Sequence, residues 1–149
     1  MTALDFISLE EAKNSLVVDY QDRDSDIIRY INTAVALTER ITNYALYQRA
    51  HTYTIPSYGC LEIYDYPIDL SPTGITVHEN VLSTTVKGAP GLGVQSNIGY
   101  VDPSDAPSPL KDACLKIINY LFENKDLYET NLPLDVQLLL NPYKRSATF

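Results

Sequence analysis

From Asp22 to Tyr47 the chain runs DRDSDIIRYINTAVALTERITNYALY. Its apolar residues return every three to four positions, at Ile27, Ile31, Ala34, Val35, Ile41 and Ala45, and Thr38 and Thr42 fill the remaining places on that face. This is the period of an amphipathic helix. Asp22, Asp24 and Asp26 precede the run. Carboxylates in a first turn meet unpaired N–H groups and the positive end of the helix dipole, so Asp24 or Ser25 is the expected cap. At about 1.5 Å per residue, such a helix would be roughly 30 Å long and would offer one sticky face to the rest of the chain. The residues expected in the resulting core are Leu16, Ile27, Ile31, Val35, Ile41, Ile117 and Leu121.

Shorter helices are expected on either side. Ser8-Leu9-Glu10-Glu11 has capping-box spacing and predicts a helix over about 8–17, with Ile7 stapled onto Ala12 and Leu9, Ala12, Leu16 and Val17 turned inward. Ser108-Pro109 suits the start of a helix to Asn124, whose apolar face is Leu110, Ala113, Cys114, Ile117, Leu121 and Phe122. Its packing against the long helix is the central structural expectation. Pro133 opens a last helix, about 133–140, closed by Asn141-Pro142, and residues 143–149 form a tail expected to be mobile unless a partner holds it.

Between about 51 and 101 the period changes. Tyr53-Thr54-Ile55, Leu61 to Tyr64, Gly74 to His78 and Ser83 to Val86 are short, β-branched or aromatic runs separated by proline, glycine and asparagine, as in hairpin strands. Such hairpins need support from helices or a neighbouring subunit. Gly88 to Asn97 reads as a loop and Asp102 to Pro109 as a stiff connector. The expected fold is therefore α+β, mainly α: one small helical domain over 1–149, with a long central helix, C-terminal helices and an inserted short-stranded β region.

Charge narrows the function. Nineteen acids against eleven bases give −8, and the bases are scattered apart from Lys144-Arg145. Nucleic-acid-binding proteins concentrate lysine and arginine on one face, so sequence-specific binding is not expected. An acidic surface can still let DNA pass without holding it. The N-terminus has no basic flank or apolar core, and no run reaches membrane-spanning length, so neither export nor a membrane partner is expected.

Candidate chemical sites fail on pattern. A calcium loop starting at Asp22 needs glycine and glutamate where Ile27 and Thr33 stand. Gly91-Leu92-Gly93 lacks the third glycine and the helix of a phosphate loop, since Ser96 takes that place. Cys60 and Cys114 lie far apart without companion ligands and read as reduced thiols. A His78 and Glu79 pair, or His51, has no geometry fixed by sequence. Glu123, Asn124, Lys125 and Asp126 form a polar helix end, for which solvation is the default. No enzymatic activity, cofactor or metal is expected. Twelve tyrosines and no tryptophan suit subunit interfaces, where an apolar body with a polar tip is useful.

Taken together, certain residues carry a resemblance. They are Ser8-Leu9-Glu10-Glu11-Ala12-Lys13 with Leu16; Asp26-Ile27-Ile28 with Ile31, Ala34 and Glu39; Pro109-Leu110-Lys111 with Ala113; Tyr120 and Phe122 to Lys125; and Leu132-Pro133-x-x-Val136-x-x-Leu139-Leu140-x-Pro142-Tyr143-Lys144. The pattern resembles the head-to-tail connector, or adaptor, family of tailed bacteriophages, across about 7–47 and 109–145. The family commonly has arginine where Lys144 stands, and the β stretch matches loosely. The resemblance implies a virion neck protein made in the host cytoplasm. Its homo-oligomeric ring of about twelve would dock under the portal protein, meet a tail-side completion or stopper protein and extend the DNA channel. On that reading Tyr143, Lys144, Arg145 and Phe149 are the portal-docking residues. The alternative class is an acidic DNA mimic or host-takeover protein, which would line up its carboxylates in rows.

Overall fold

The computed structural model describes residues 1–70, 75–79, 83–124 and 132–145. Its first elements are the helices α1 (Ala3–Phe6), α2 (Leu9–Leu16) and α3 (Asp24–Thr42), followed by the strands β1 (Arg49–Thr54), β2 (Cys60–Ile63) and β3 (Ile68–Leu70). Then come β4 (Ile75–Glu79), β5 (Thr84–Gly88), β6 (Gly93–Ile98), α4 (Ser108–Asn124) and α5 (Leu134–Leu140). Gly74, Asn80, Lys125, Asp126 and residues 146–149, Phe149 among them, fall outside the described residues.

The helical period of α3 sets the body of the fold. Ile27, Tyr30, Ile31, Ala34, Val35, Thr38 and Thr42 are all buried on its inner face, and α4 packs along it with Leu110, Ala113, Cys114, Ile117 and Ile118 fully buried. Leu121 lies just inside the core, whereas Leu16 and Ile41 are half-buried at its margin. The threonines on α3 are satisfied within the core. The Thr42 hydroxyl donates to the Thr38 carbonyl at 2.7 Å, and the Cys114 thiol lies 3.1 Å from the Thr38 hydroxyl. Complete burial pushes the Cys114 thiol up to about 12, which keeps it protonated and inert.

Several boundaries differ from expectation. Helix α3 stops at Thr42 rather than Tyr47, because Asn43 takes a left-handed conformation (φ 58°) and closes the helix by donating to the Glu39 carbonyl. That is an ordinary asparagine terminator, and it releases Tyr44 to Tyr47 to enter the β region. Neither Asp24 nor Ser25 caps α3; Asp24 lies within its first turn and pairs with Lys13 of α2 at 2.6 Å. Ser8 does cap α2, accepting from the Glu11 N–H at 3.1 Å, and Ile7 and Ala12 are both buried in the same core. Val17, expected inward, ends α2 in a left-handed conformation and is 91% exposed, so Val18 takes the buried place. The first helix, α1, was not expected at all; a Thr2–Asp5 capping box starts it and Phe6 anchors it.

The β region forms two antiparallel three-stranded sheets, in the orders β1-β6-β3 and β2-β5-β4. Strand β6 occupies much of the segment expected as a loop. Its residues alternate outward and inward, with Val94, Ser96 and Ile98 buried, and pairing on both sides overrides the poor strand propensity of its glycine, serine and asparagine. Gly91-Leu92-Gly93 forms the turn into this strand, with the Gly91 N–H donating to the Ile55 carbonyl. Ile55, Ile63, Val86 and Val94 make a second apolar cluster, separate from the helical core. Both sheets contribute to this cluster, so they lean on each other. The segment expected as a stiff connector holds a short 3-10 helix, Pro103–Asp105, started by the Asp102 carboxylate.

Candidate functional site

The residues assigned to docking, Tyr143 to Arg145, close on the seam between the helical body and the β region. After Asn43 the chain runs beside Tyr66: the Tyr66 N–H donates to the Asn43 carbonyl at 2.9 Å and the Ala45 N–H to the Tyr66 carbonyl at 2.7 Å. The C-terminal segment lies over this crossing. The Arg145 N–H donates to the Thr42 carbonyl at 3.0 Å, and the Asn43 side-chain amide donates to the Arg145 carbonyl at 2.5 Å. The Arg145 side chain reaches across to the β region, where Nε donates to the Tyr64 carbonyl at 3.3 Å and the guanidinium lies 4.4 Å from the Tyr66 ring centre. Tyr44 holds the middle, edge-on to Tyr66 at 5.2 Å and to Tyr143 at 5.8 Å.

Up to Arg145, therefore, the tail is held by the protein's own body, contrary to the expectation of a mobile segment. Hydrogen bonds, a cation–π contact and ring packing supply what a partner was expected to supply. Lys144, between two anchored residues, faces solvent. Tyr100 belongs to the same neighbourhood; burial, then the nearby Tyr44 and Tyr66, push its hydroxyl up to about 12. A second strut joins α3 to β1. One Glu39 carboxylate oxygen accepts from the Leu46 N–H and from Arg49, both at 2.8 Å. Tyr53 on β1 donates its hydroxyl to Asp65, and burial followed by that bond holds its pKa far above the ordinary tyrosine value.

Truncating Arg145 to alanine should cost about 1–2 kcal/mol, because a cation–π contact and a hydrogen bond to a part-buried carbonyl are lost together. The expected signature is a lower denaturant midpoint with faster hydrogen exchange at Ala45 and Tyr66. An unchanged midpoint would show that the seam holds without it.

The other candidates are not brought together. His51 on β1 and His78 with Glu79 on β4 are exposed and lie in different sheets. Asp26 pairs with Arg29, and Glu123 is exposed at the end of α4. Among the described residues no three histidine, cysteine or acidic side chains are grouped to hold a metal, and no helix is long and apolar enough to cross a membrane. The seam residues Asn43, Tyr44, Tyr66, Gly99 and Tyr100 escape a sequence reading. The abundance of tyrosine is the signal that points towards them, but not to their partners.

No protein-family model and no curated protein matches the chain. Solved structures do. A chain in the virion of a native gene transfer agent particle superposes with a TM-score of 0.75 at 13% identity, over 100% of this chain and 94% of that one. A chain in the neck of the native particle, computed with C12 symmetry, gives 0.71 at 14% identity over 100% and 95%. One in the neck of the empty particle, computed with C6 symmetry, gives 0.68 at 15% over 96% and 91%. Residue for residue the sequences have little in common, yet over its whole length this chain shares the fold of a chain found in the neck of a gene transfer agent particle.

Proposed function

We propose that this protein is a structural, non-enzymatic subunit of a virion neck, one of about twelve copies in a ring between portal and tail that continues the DNA channel. The observation that carries this reading is the whole-chain likeness to a chain in a neck computed with C12 symmetry. Charge supports it. Several bases are engaged in pairs between elements, Lys13 with Asp24, Lys111 with Glu11, Lys116 with Asp135 and Arg49 with Glu39, and the chain as a whole stays at −8. A ring built from such subunits would let DNA through without gripping it.

The portal is the partner proposed for the C-terminal end. Tyr143 and Arg145 fix the segment to the body, and the exposed Lys144 is proposed to make the contact together with Phe149, which lies outside the described residues. A completion or stopper protein is proposed on the tail side. The test is native mass spectrometry of the purified protein over a concentration series, with and without portal, together with negative-stain images. Closed rings of about a dozen subunits are expected. Monomers throughout, even with portal as a template, would overturn the reading.

A further inference from the structure

Among the described residues, the close packing is of helix on helix and of strand on strand. Between the two halves the chain passes twice, at 43–48 and at 99–102, and the passages lie against each other where Gly99 meets Tyr47. Side by side they make a narrow strip of backbone rather than a broad face, which is the anatomy of a hinge. Glu39 grips Leu46 and Arg49 at the end of the first passage, close to that strip. Residues 143–145 are an attachment of another kind, because they arrive from α5 and belong to neither passage. Their backbone is fixed to the end of α3 through Thr42 and Asn43, and from that mount the Arg145 side chain crosses to the β region, to the Tyr64 carbonyl and the Tyr66 ring.

We propose that Arg145 is a latch on this hinge. Engaged with Tyr64 and Tyr66, it sets the angle of the β region on the helical body; released, it lets the β region turn about the two passages. Two features suit it to that role. The groups it holds stay in place without it, since the Tyr66 N–H and carbonyl are bonded to Asn43 and Ala45, so the latch opens without unravelling either half. One cation–π contact and one hydrogen bond to a part-buried carbonyl favour the closed arrangement by roughly a factor of ten, enough to hold the β region and too little to make it immovable. Lys144 lies between the anchored Tyr143 and Arg145 and faces solvent, so a contact made there acts on the latch and is felt by the β region. The latch belongs to the single chain and does not depend on the ring.

Paired spin labels measure the angle. Asn32→Cys on α3 and Lys87→Cys on β5 are both at exposed positions and are labelled together in a Cys60→Ser background; Cys114 is buried and stays. A second pair, Asn32→Cys with Leu138→Cys on α5, lies wholly within the helical body. Double electron–electron resonance is recorded on the full chain, diluted with unlabelled protein so that distances between copies are not read. With Arg145 in place both pairs should give narrow distance distributions. Arg145→Ala should shift and broaden the distribution between α3 and β5 and leave the one between α3 and α5 narrow. Tyr66→Leu, which keeps the backbone bonds of Tyr66, should act in the same direction, and the two changes together should go little further than Arg145→Ala alone, because they remove one latch. A distribution between α3 and β5 that stays as narrow in Arg145→Ala as with Arg145 in place would overturn the latch. So would equal broadening of both pairs, which would mean a general loosening of the fold.

Discussion

Ile31→Asp should unfold this protein. Ile31 has no exposed surface and sits mid-way along α3 where α4 packs against it. A carboxylate there has no cation to pair with in an apolar cluster of Ile27, Val35, Ile117 and Ile118. It must either stay charged in a low-dielectric site or take up a proton, and it loses the packing of the isoleucine in both cases. The cost is several kcal/mol, a large part of the ~5–15 kcal/mol that separates folded from unfolded chains of this size. Leu121→Asp should act in the same direction and more mildly, because Leu121 keeps a little surface (6%) through which water can reach the charge. Far-UV circular dichroism melts decide the matter. A wild-type melt for Ile31→Asp would mean that α3 does not bury the face described.

Gly99→Ala should be nearly as damaging for a different reason. Gly99 has a φ of 98°, which L-residues seldom adopt, and a Cβ built on it would lie 2.0 Å from the Tyr47 carbonyl oxygen. The obstruction is backbone and cannot rotate away. The seam must open to admit the methyl, which threatens the bond from the Gly99 N–H to the Pro67 carbonyl. Together strain and displacement should cost on the order of 3 kcal/mol or more. Because the damage is at the seam, hydrogen exchange should rise at Tyr66 and along β3 before it rises in α4. Uniform exchange behaviour at wild-type stability would contradict this.

What could be read from the sequence follows physical range. Helices α2, α3, α4 and α5 declare themselves through interactions between residues three or four apart: the Ser8 cap, the Ile27-to-Thr42 stripe and the Pro133 start are all local. The end of α3 is local too, and an asparagine at position 43 is a recognisable stop that the apolar run beyond it conceals. Strand β6 is another matter. Gly93-Val94-Gln95-Ser96-Asn97-Ile98 forms a strand because β1 and β3 pair with it from far away in sequence: Arg49 faces Ile98 across 49 positions on one side, and Leu70 faces Ser96 across 26 on the other. Its inward Ser96 hydroxyl finds the His51 carbonyl only once those strands are in place. The seam was hidden for the same reason. Arg145 is read as part of a free tail until the structure brings Thr42, Tyr64 and Tyr66 beneath it.

The two apolar clusters have no residue in common. Substitutions in well-separated sites change stability nearly independently. A lineage can therefore rework the β region to suit a new neighbour without disturbing the helices, provided the seam at Tyr44, Tyr66 and Gly99 is kept. Divergence should accumulate unevenly along such a chain, fastest between positions 51 and 98 and slowest where α3 meets α4.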